Sequence, residues 1–200
     1  NEVFQRCFLD GKNTKIYFEN LINNENETNY SRYIFFYINY LVENEKYSEA
    51  KNITDNLDYL NSSLLISQTK LWIENQETKE FQKIFSCRSP HDIVSELFFL
   101  VANLYSSEND YENSNFYLNI SYNLNPKFIF NLTLPAENYY FSGDYKNTLK
   151  ILNSFNKKYY FHYWFRLKKE AQIISKQKNY DSSLNFINSK FKNIKDPSIK

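Results

Sequence analysis

The chain has 200 residues, with 24 Lys and Arg against 23 Asp and Glu and a formal net charge of +1. That length supports a sizeable core or an extended array. The balanced charge means that neither a nucleic acid nor a membrane surface is demanded as a partner. Aromatic residues reach 19%, with 18 Tyr and 18 Phe, while glycine occurs twice. Asn, Lys, Ile, Phe and Tyr share A/T-rich codons, so the bias points to the genome of a low-GC bacterium. A prion-like tract would scatter its apolar residues, and here they are periodic. The N-x-S/T triplets, such as Asn52-Ile53-Thr54 and Asn131-Leu132-Thr133, are what so much asparagine produces by chance.

In chain order, residues 1–23 read as the end of one helix, a turn at "DGKN" that uses Gly11, and a second helix through Ile22. The run "YIFFYINYLV" (Tyr33 to Val42) is too short to span a bilayer and contains an asparagine. Residues 61–87 read as two shorter helices with a turn near Gln76 to Thr78. "DIVSELFFLVANLYSS" carries Ile93, Val94, Leu97, Phe98, Val101, Leu104 and Tyr105 at helical i, i+3, i+4, i+7 spacing. A polar turn, "SEND", leads into a helix marked by Tyr111, Phe116, Tyr117, Ile120 and Leu124, which Pro126 stops. In the next unit Pro135 falls within the first helix, so that helix either kinks there or starts near Leu134. Its turn holds Gly143, where a positive φ would cost other residues more. Turns are expected near residues 13, 46, 78, 110, 144 and 179.

Four turn tyrosines, Tyr47, Tyr111, Tyr145 and Tyr180, are spaced by 64, 34 and 35 residues, so a hidden unit lies in the first interval. Nine residues before them stand Ile38, Ala102, Ala136 and Ala171; three residues after stand Ala50, Ser114, Thr148 and Ser183. All four alanines of the chain fall at these two positions. Small side chains are needed where two helix axes cross closely.

With these features the chain resembles the tetratricopeptide repeat (TPR) family. The repeat from Ser95 matches its pattern with Phe98, Val101, Ala102, Tyr105, Tyr111, Ser114, Leu118, Ser121 and Pro126. The one from Ile129 gives Leu132, Pro135, Ala136, Tyr139, Tyr145, Thr148 and Leu152; the one from Trp164 gives Leu167, Ala171, Ile174, Tyr180, Ser183 and Ile187. The one from Ser31 gives Ile34, Tyr37, Leu41, Tyr47, Ala50 and Leu57. The resemblance implies an all-α fold, an α-solenoid of about five to six antiparallel helix pairs wound into a right-handed superhelix. The units would be 1–30, 31–60, 61–91, 92–127, 128–157 and 158–194, the first and third degenerate. The last ends in "NIKDPSIK" without a polar capping helix, so further chain after Lys200 is expected.

In the family, the first helix of each pair lines a concave groove that binds peptides or partner helices. The resemblance places Arg32, Phe35, Asn39, Glu96, Phe99, Asn103, Thr133, Glu137, Tyr140, Phe165, Lys168 and Gln172 there. Asn39 and Asn103 suit the family's carboxylate clamp, but Phe35 and Phe99 stand where it needs lysine. The implied groove is aromatic and mildly polar, fit for an extended or helical segment.

Nothing in the sequence builds a catalytic or cofactor site. His91 and His162 lie at no metal-ligand spacing, and two glycines cannot make a phosphate cradle. Glu74, Glu77 and Glu80 read as a solvated helix face. Cys7 and Cys87 form no C-x-x-C and no disulfide framework, so neither redox compartment is favoured and localisation stays open. The expectation is a noncatalytic scaffold with a protein or peptide partner, no cofactor, no metal and no membrane span. One alternative is a structural spacer within a larger protein. Another is single-stranded nucleic-acid binding through residues 157–169, "KKYYFHYWFRLKK", which the balanced charge disfavours. In that segment Tyr160, Trp164 and Leu167 are expected to pack inside and Lys158 and Lys169 to be solvated.

Overall fold

The computed structural model describes residues 2–22, 31–57 and 63–192. Among these residues there are twelve α-helices, one 3-10 turn and no strand. The helices are α1 (Glu2–Phe8), α2 (Thr14–Ile22), α3 (Ser31–Glu43), α4 (Tyr47–Asp55), α5 (Leu64–Glu74) and α6 (Lys79–Ile84). They continue with α7 (Pro90–Ser107), α8 (Tyr111–Leu124), the 3-10 turn Ile129–Leu132, α9 (Thr133–Phe141), α10 (Tyr145–Leu152), α11 (Tyr160–Gln177) and α12 (Tyr180–Phe191). The chain forms two compact units, residues 1–131 and 132–200. The expectation about the uncapped end concerns residues 193–200, which lie outside the described residues.

The first five helix pairs share one turn. Asp10, Glu45, Gln76, Asn109 and Gly143 have φ of 53°, 61°, 58°, 61° and 80°. The next residue donates its N–H to the carbonyl five places back: Gly11 to Arg6 at 2.8 Å, Lys46 to Leu41 at 2.8 Å, Glu77 to Trp72 at 2.8 Å, Asp110 to Tyr105 at 3.0 Å, and Asp144 to Tyr139 at 2.8 Å. The left-handed residue itself donates three places back. This is the Schellman closure of a helix C-terminus, which satisfies carbonyls left without an intrahelical donor. Four of the five turns place a side chain in the conformation that favours glycine. At the first turn it is Asp10, not Gly11, that adopts it. The sixth turn differs: Lys178 has φ −122° and ψ −92°.

After the fourth, fifth and sixth turns a side chain caps the second helix. Asp110 accepts from the backbone N–H of Asn113 and Asp144 from that of Asn147. The amides of Asn113 and Asn147 donate back to the same carboxylates at 2.7 and 2.6 Å. Asn179 caps α12 through the N–H of Ser182. The small crossing residues also do more than make room. Ser114 Oγ donates to the carbonyl of Ala102 and Ser183 Oγ to that of Ala171, both at 2.8 Å. Ala50, Ala102 and Ala136 are fully buried.

In the unit of residues 1–131, α3 is the central helix. It packs against α2, α4, α5 and α6. The apolar residues of the Tyr33–Val42 run therefore serve as core rather than as a membrane segment, and no described helix is long and apolar enough to cross a membrane. Phe36 meets Phe4, Phe85 and Phe128 at ring distances of 5.0, 4.5 and 6.1 Å. The short helix α6 ends with carbonyls that asparagines satisfy. Asn39 donates to the carbonyls of Phe81 and Phe85, and Asn125 to that of Ile84.

Cys7 in α1 and Cys87 before α7 form a disulfide with Cα atoms 5.8 Å apart. Two cysteines 80 residues apart carry no spacing signal, so the sequence alone does not join this pair. In the chain-entropy account a loop of that length stabilises the fold by about 4–5 kcal/mol.

In the unit of residues 132–200, α9 pairs with α10, α11 with α12, and α10 packs on α11. Pro135 is the third residue of α9, and the 3-10 turn precedes it. The helix thus starts late rather than kinking, and the proline falls in the first turn, where a missing N–H breaks no helical bond. Leu152, Phe155, His162 and Leu167 form the core with Ala136 and Thr148. No residue of α12 is buried, and Tyr180, Leu184 and Phe191 remain substantially exposed.

The turns predict a stability pattern. Glu45→Gly and Gln76→Gly should each raise stability in urea titrations, by up to about 1 kcal/mol, by relieving left-handed backbone strain. Gly143→Ala should lower it by about 1 kcal/mol, although an added Cβ would meet nothing within 4 Å. A loss for both glycine substitutions would contradict this account.

Candidate functional site

The inner positions of the first helices behave differently in the two units. In residues 1–131 they are filled. Phe35 is fully buried and stacks 6.1 Å from Phe81 and 5.4 Å from Phe128. Asn39 and Phe99 are also buried, and Asn39 is engaged in capping α6. Phe128 and Phe130, which follow α8, cover this face; Phe130 lies 5.6 Å from Trp72 of α5. The repeat pattern locates the inner positions but carries no sign of the segment that covers them. Asn103 alone of the groove residues expected here is exposed.

At the centre of this face Arg32 of α3 forks onto Glu96 of α7. Its Nε and Nη2 each donate to a separate carboxylate oxygen. Nη2 also donates to Asn131 Oδ1 at 2.6 Å. The guanidinium carbon lies 3.8 Å from the Phe99 ring centroid and 5.2 Å from that of Phe128. Glu96 is 1% exposed. Burial pushes its carboxyl above the usual range, against the downward pull of Arg32. A planar fork pairs with a carboxylate in two parallel bonds, which fixes direction as well as charge.

In residues 132–200 the inner positions stay accessible. Glu137 and Tyr140 of α9 come together with Phe165 of α11 around Lys169. Lys169 Nζ donates to Glu137 Oε2 at 2.7 Å and lies 4.3 Å from the Tyr140 ring centroid and 5.8 Å from that of Phe165. Burial raises the Tyr140 hydroxyl above its usual pKa. Thr133, Glu137, Tyr140 and Phe165 are half-buried, while Lys168 and Gln172 are exposed.

Lys169 is not solvated as its charge suggests; it is 7% exposed. The repeat register held the signal. Lys169 occupies the sixth position of its repeat, where the other three carry Phe36, Leu100 and Leu134. A buried ammonium needs a partner, and Glu137 supplies it.

The segment 157–169 divides accordingly. Leu167 is buried, and Trp164 Nε1 donates to the Tyr160 hydroxyl at 2.6 Å. Arg166 pairs with Glu170 at 2.7 Å, and Lys157, Lys158 and Lys168 are exposed. His91 is exposed, and His162 is 1% exposed with its pKa held down to about 3 by burial. No group of three or more potential metal ligands occurs among the described residues. Glu74 and Glu77 are exposed, and Glu80 pairs with Lys83. A separate apolar groove of about 560 Å³ runs between α1 and the start of α7, lined by Phe8, Ile93, Val94 and Leu97.

No family model matches the sequence, no curated protein matches it, and no solved structure matches the chain.

Two outcomes follow from the buried charges. Arg32→Met should cost about 3–5 kcal/mol in chemical denaturation, because it strands Glu96. Combining it with Glu96→Leu should recover most of that loss; a further loss would show that the pair is not the source. His162 has a folded pKa near 3 against 6.5 when exposed, so the unfolded chain takes up its proton first on acidification. Its contribution is therefore complete above about pH 6.5 and declines as the pH falls towards 3, by at most about 1.4 kcal/mol per pH unit. His162→Phe should flatten that part of the stability-pH curve.

Proposed function

We propose that this chain is a noncatalytic interaction scaffold built from TPR-like helix pairs, arranged as a right-handed superhelix, that holds a peptide or helical segment of a partner protein. The carrying observation is the surface of α9 and α11. There Tyr140 and Phe165 flank the Lys169–Glu137 pair, with Lys168 and Gln172 exposed beside them. Half-buried aromatics beside exposed polar groups suit a segment that buries one apolar side chain and hydrogen-bonds along its length. The Lys169–Glu137 pair, with its ammonium buried, stiffens the floor of that surface, so binding need not order it.

The spacer reading is favoured for residues 1–131, where Phe128 and Phe130 cover the inner face and leave no groove over Phe35 and Trp72. In this reading the first four helix pairs are structural and bind nothing themselves. The nucleic-acid reading is weaker, because Arg166 and Lys169 are neutralised by Glu170 and Glu137. It leaves three exposed lysines and few ring faces for stacking.

Panning the whole chain against a displayed library of short peptides tests the scaffold. Enriched peptides should lose at least about tenfold in affinity on Lys168→Glu with Gln172→Arg, with the circular dichroism spectrum unchanged, which corresponds to about 1.4 kcal/mol. Equal binding by this variant and the parent chain would leave the spacer reading in its place.

A further inference from the structure

We propose that the Cys7–Cys87 disulfide is a sealed redox staple: a disulfide donor installs it before residues 1–131 close, and the closed fold then shields it. The proposal stands independently of the scaffold reading. Three observations carry it. The only two cysteines of the chain, 80 residues apart, meet with Cα atoms 5.8 Å apart, within the span a disulfide requires. Both residues are 2% exposed. An aromatic shell adjoins them in the chain: Phe4 on α1, with Phe85 two residues before Cys87, both fully buried and both against Phe36.

The helices that the bond ties down need tying. α1 has seven residues and α2 nine. Helices this short are marginal alone in water and depend on tertiary contacts. The noncovalent ties of this first pair include the Phe4 cluster, the Phe18–Tyr37 stack at 5.3 Å, and the Lys15–Glu49 and Arg88–Asp10 ion pairs. The ion pairs are exposed and contribute little. The aromatic contacts and the covalent bond do the holding.

The chemistry is thiol–disulfide exchange. One protein thiolate attacks the donor disulfide, forming a mixed disulfide and releasing one donor thiol. The second protein thiolate then displaces the other donor thiol. Two cysteine thiols are oxidised to one disulfide, and one donor disulfide is reduced to two thiols. In-line attack needs an exposed sulfur, which the closed fold does not offer, so oxidation precedes the last packing step. A chain matured this way meets a disulfide oxidant, such as an oxidised thiol–disulfide oxidoreductase or oxidised glutathione, outside a reducing cytosol. Once sealed, the bond is reduced only through opening of the unit.

The test uses the whole chain purified without reductant. N-ethylmaleimide should add nothing to the chain unfolded in denaturant without reductant, and two adducts should form after reduction in denaturant. Two adducts on the denatured, unreduced chain would overturn the pairing. With dithiothreitol, the reduction rate of the native protein should level off as reductant increases, because opening becomes limiting. A rate that keeps rising in proportion to dithiothreitol would mean that the sulfurs are open to solvent, and would overturn the seal. Cys7→Ser with Cys87→Ser should lower Tm by about 10 °C; an unchanged Tm would remove the staple. Should that variant not fold, the wild-type chain reduced in denaturant and diluted into oxidised glutathione should recover native helicity faster and more fully than in reduced glutathione. Equal recovery in both would count against the proposal.

Discussion

The left-handed turn between paired helices is the constraint on which the rest of this structure depends. Each Schellman closure ends one helix, consumes its stranded carbonyls and aims the chain back along itself within two residues. The crossing of the pair is then set by small residues at fixed distances from the turn. Ser114 on Ala102 and Ser183 on Ala171 show how literal that distance is, since the same hydroxyl-to-carbonyl bond recurs twelve residues apart in two separate pairs. The turn recurs with little help from glycine. Asp10, Glu45, Gln76 and Asn109 hold strained backbone because the two hydrogen bonds that close each turn require it.

The local layer of this architecture was legible in the sequence. The turn tyrosines and the four alanines mark positions whose chemistry is decided within one helix pair. What was illegible was decided between pairs. Phe128 and Phe130 follow a helix-stopping proline and read as the start of another repeat, yet their rings cover the inner face of α3 and α5. Arg32 and Glu96 share the second position of their repeats, 64 residues apart, but register alone does not say that the two meet; Cys7 and Cys87 are 80 apart and lie outside the four matched repeats. Lys169 lies between the two cases. The register assigns it to the core, but its charge argues for solvent, and only the position of Glu137 decides the matter.

The two units thus use the same helix pairs for different ends. In residues 1–131 inner positions that the resemblance assigned to a groove are spent on cohesion: an aromatic cluster, asparagine caps on α6 and a buried ion pair. In residues 132–200 fewer pairs enclose less, and aromatic and polar groups of α9 and α11 stay within reach of solvent. A repeat motif alone does not say whether its inner face is core or binding surface. In residues 1–131 the segment that follows α8 decides it.

The separations of these ties also order the folding of the chain. In residues 132–200 the most distant tie described, Lys169 to Glu137, closes 32 residues. In residues 1–131 the ties close 64, 80 and 99 residues. Loop closure is an entropic toll that rises with separation, and chains dominated by local contacts fold faster. The later pairs can therefore assemble hairpin by hairpin, whereas the earlier unit must wait for its ends to meet. Synthesis delivers the slower unit first, and Asn131, which Arg32 requires, is the last residue of that unit to emerge.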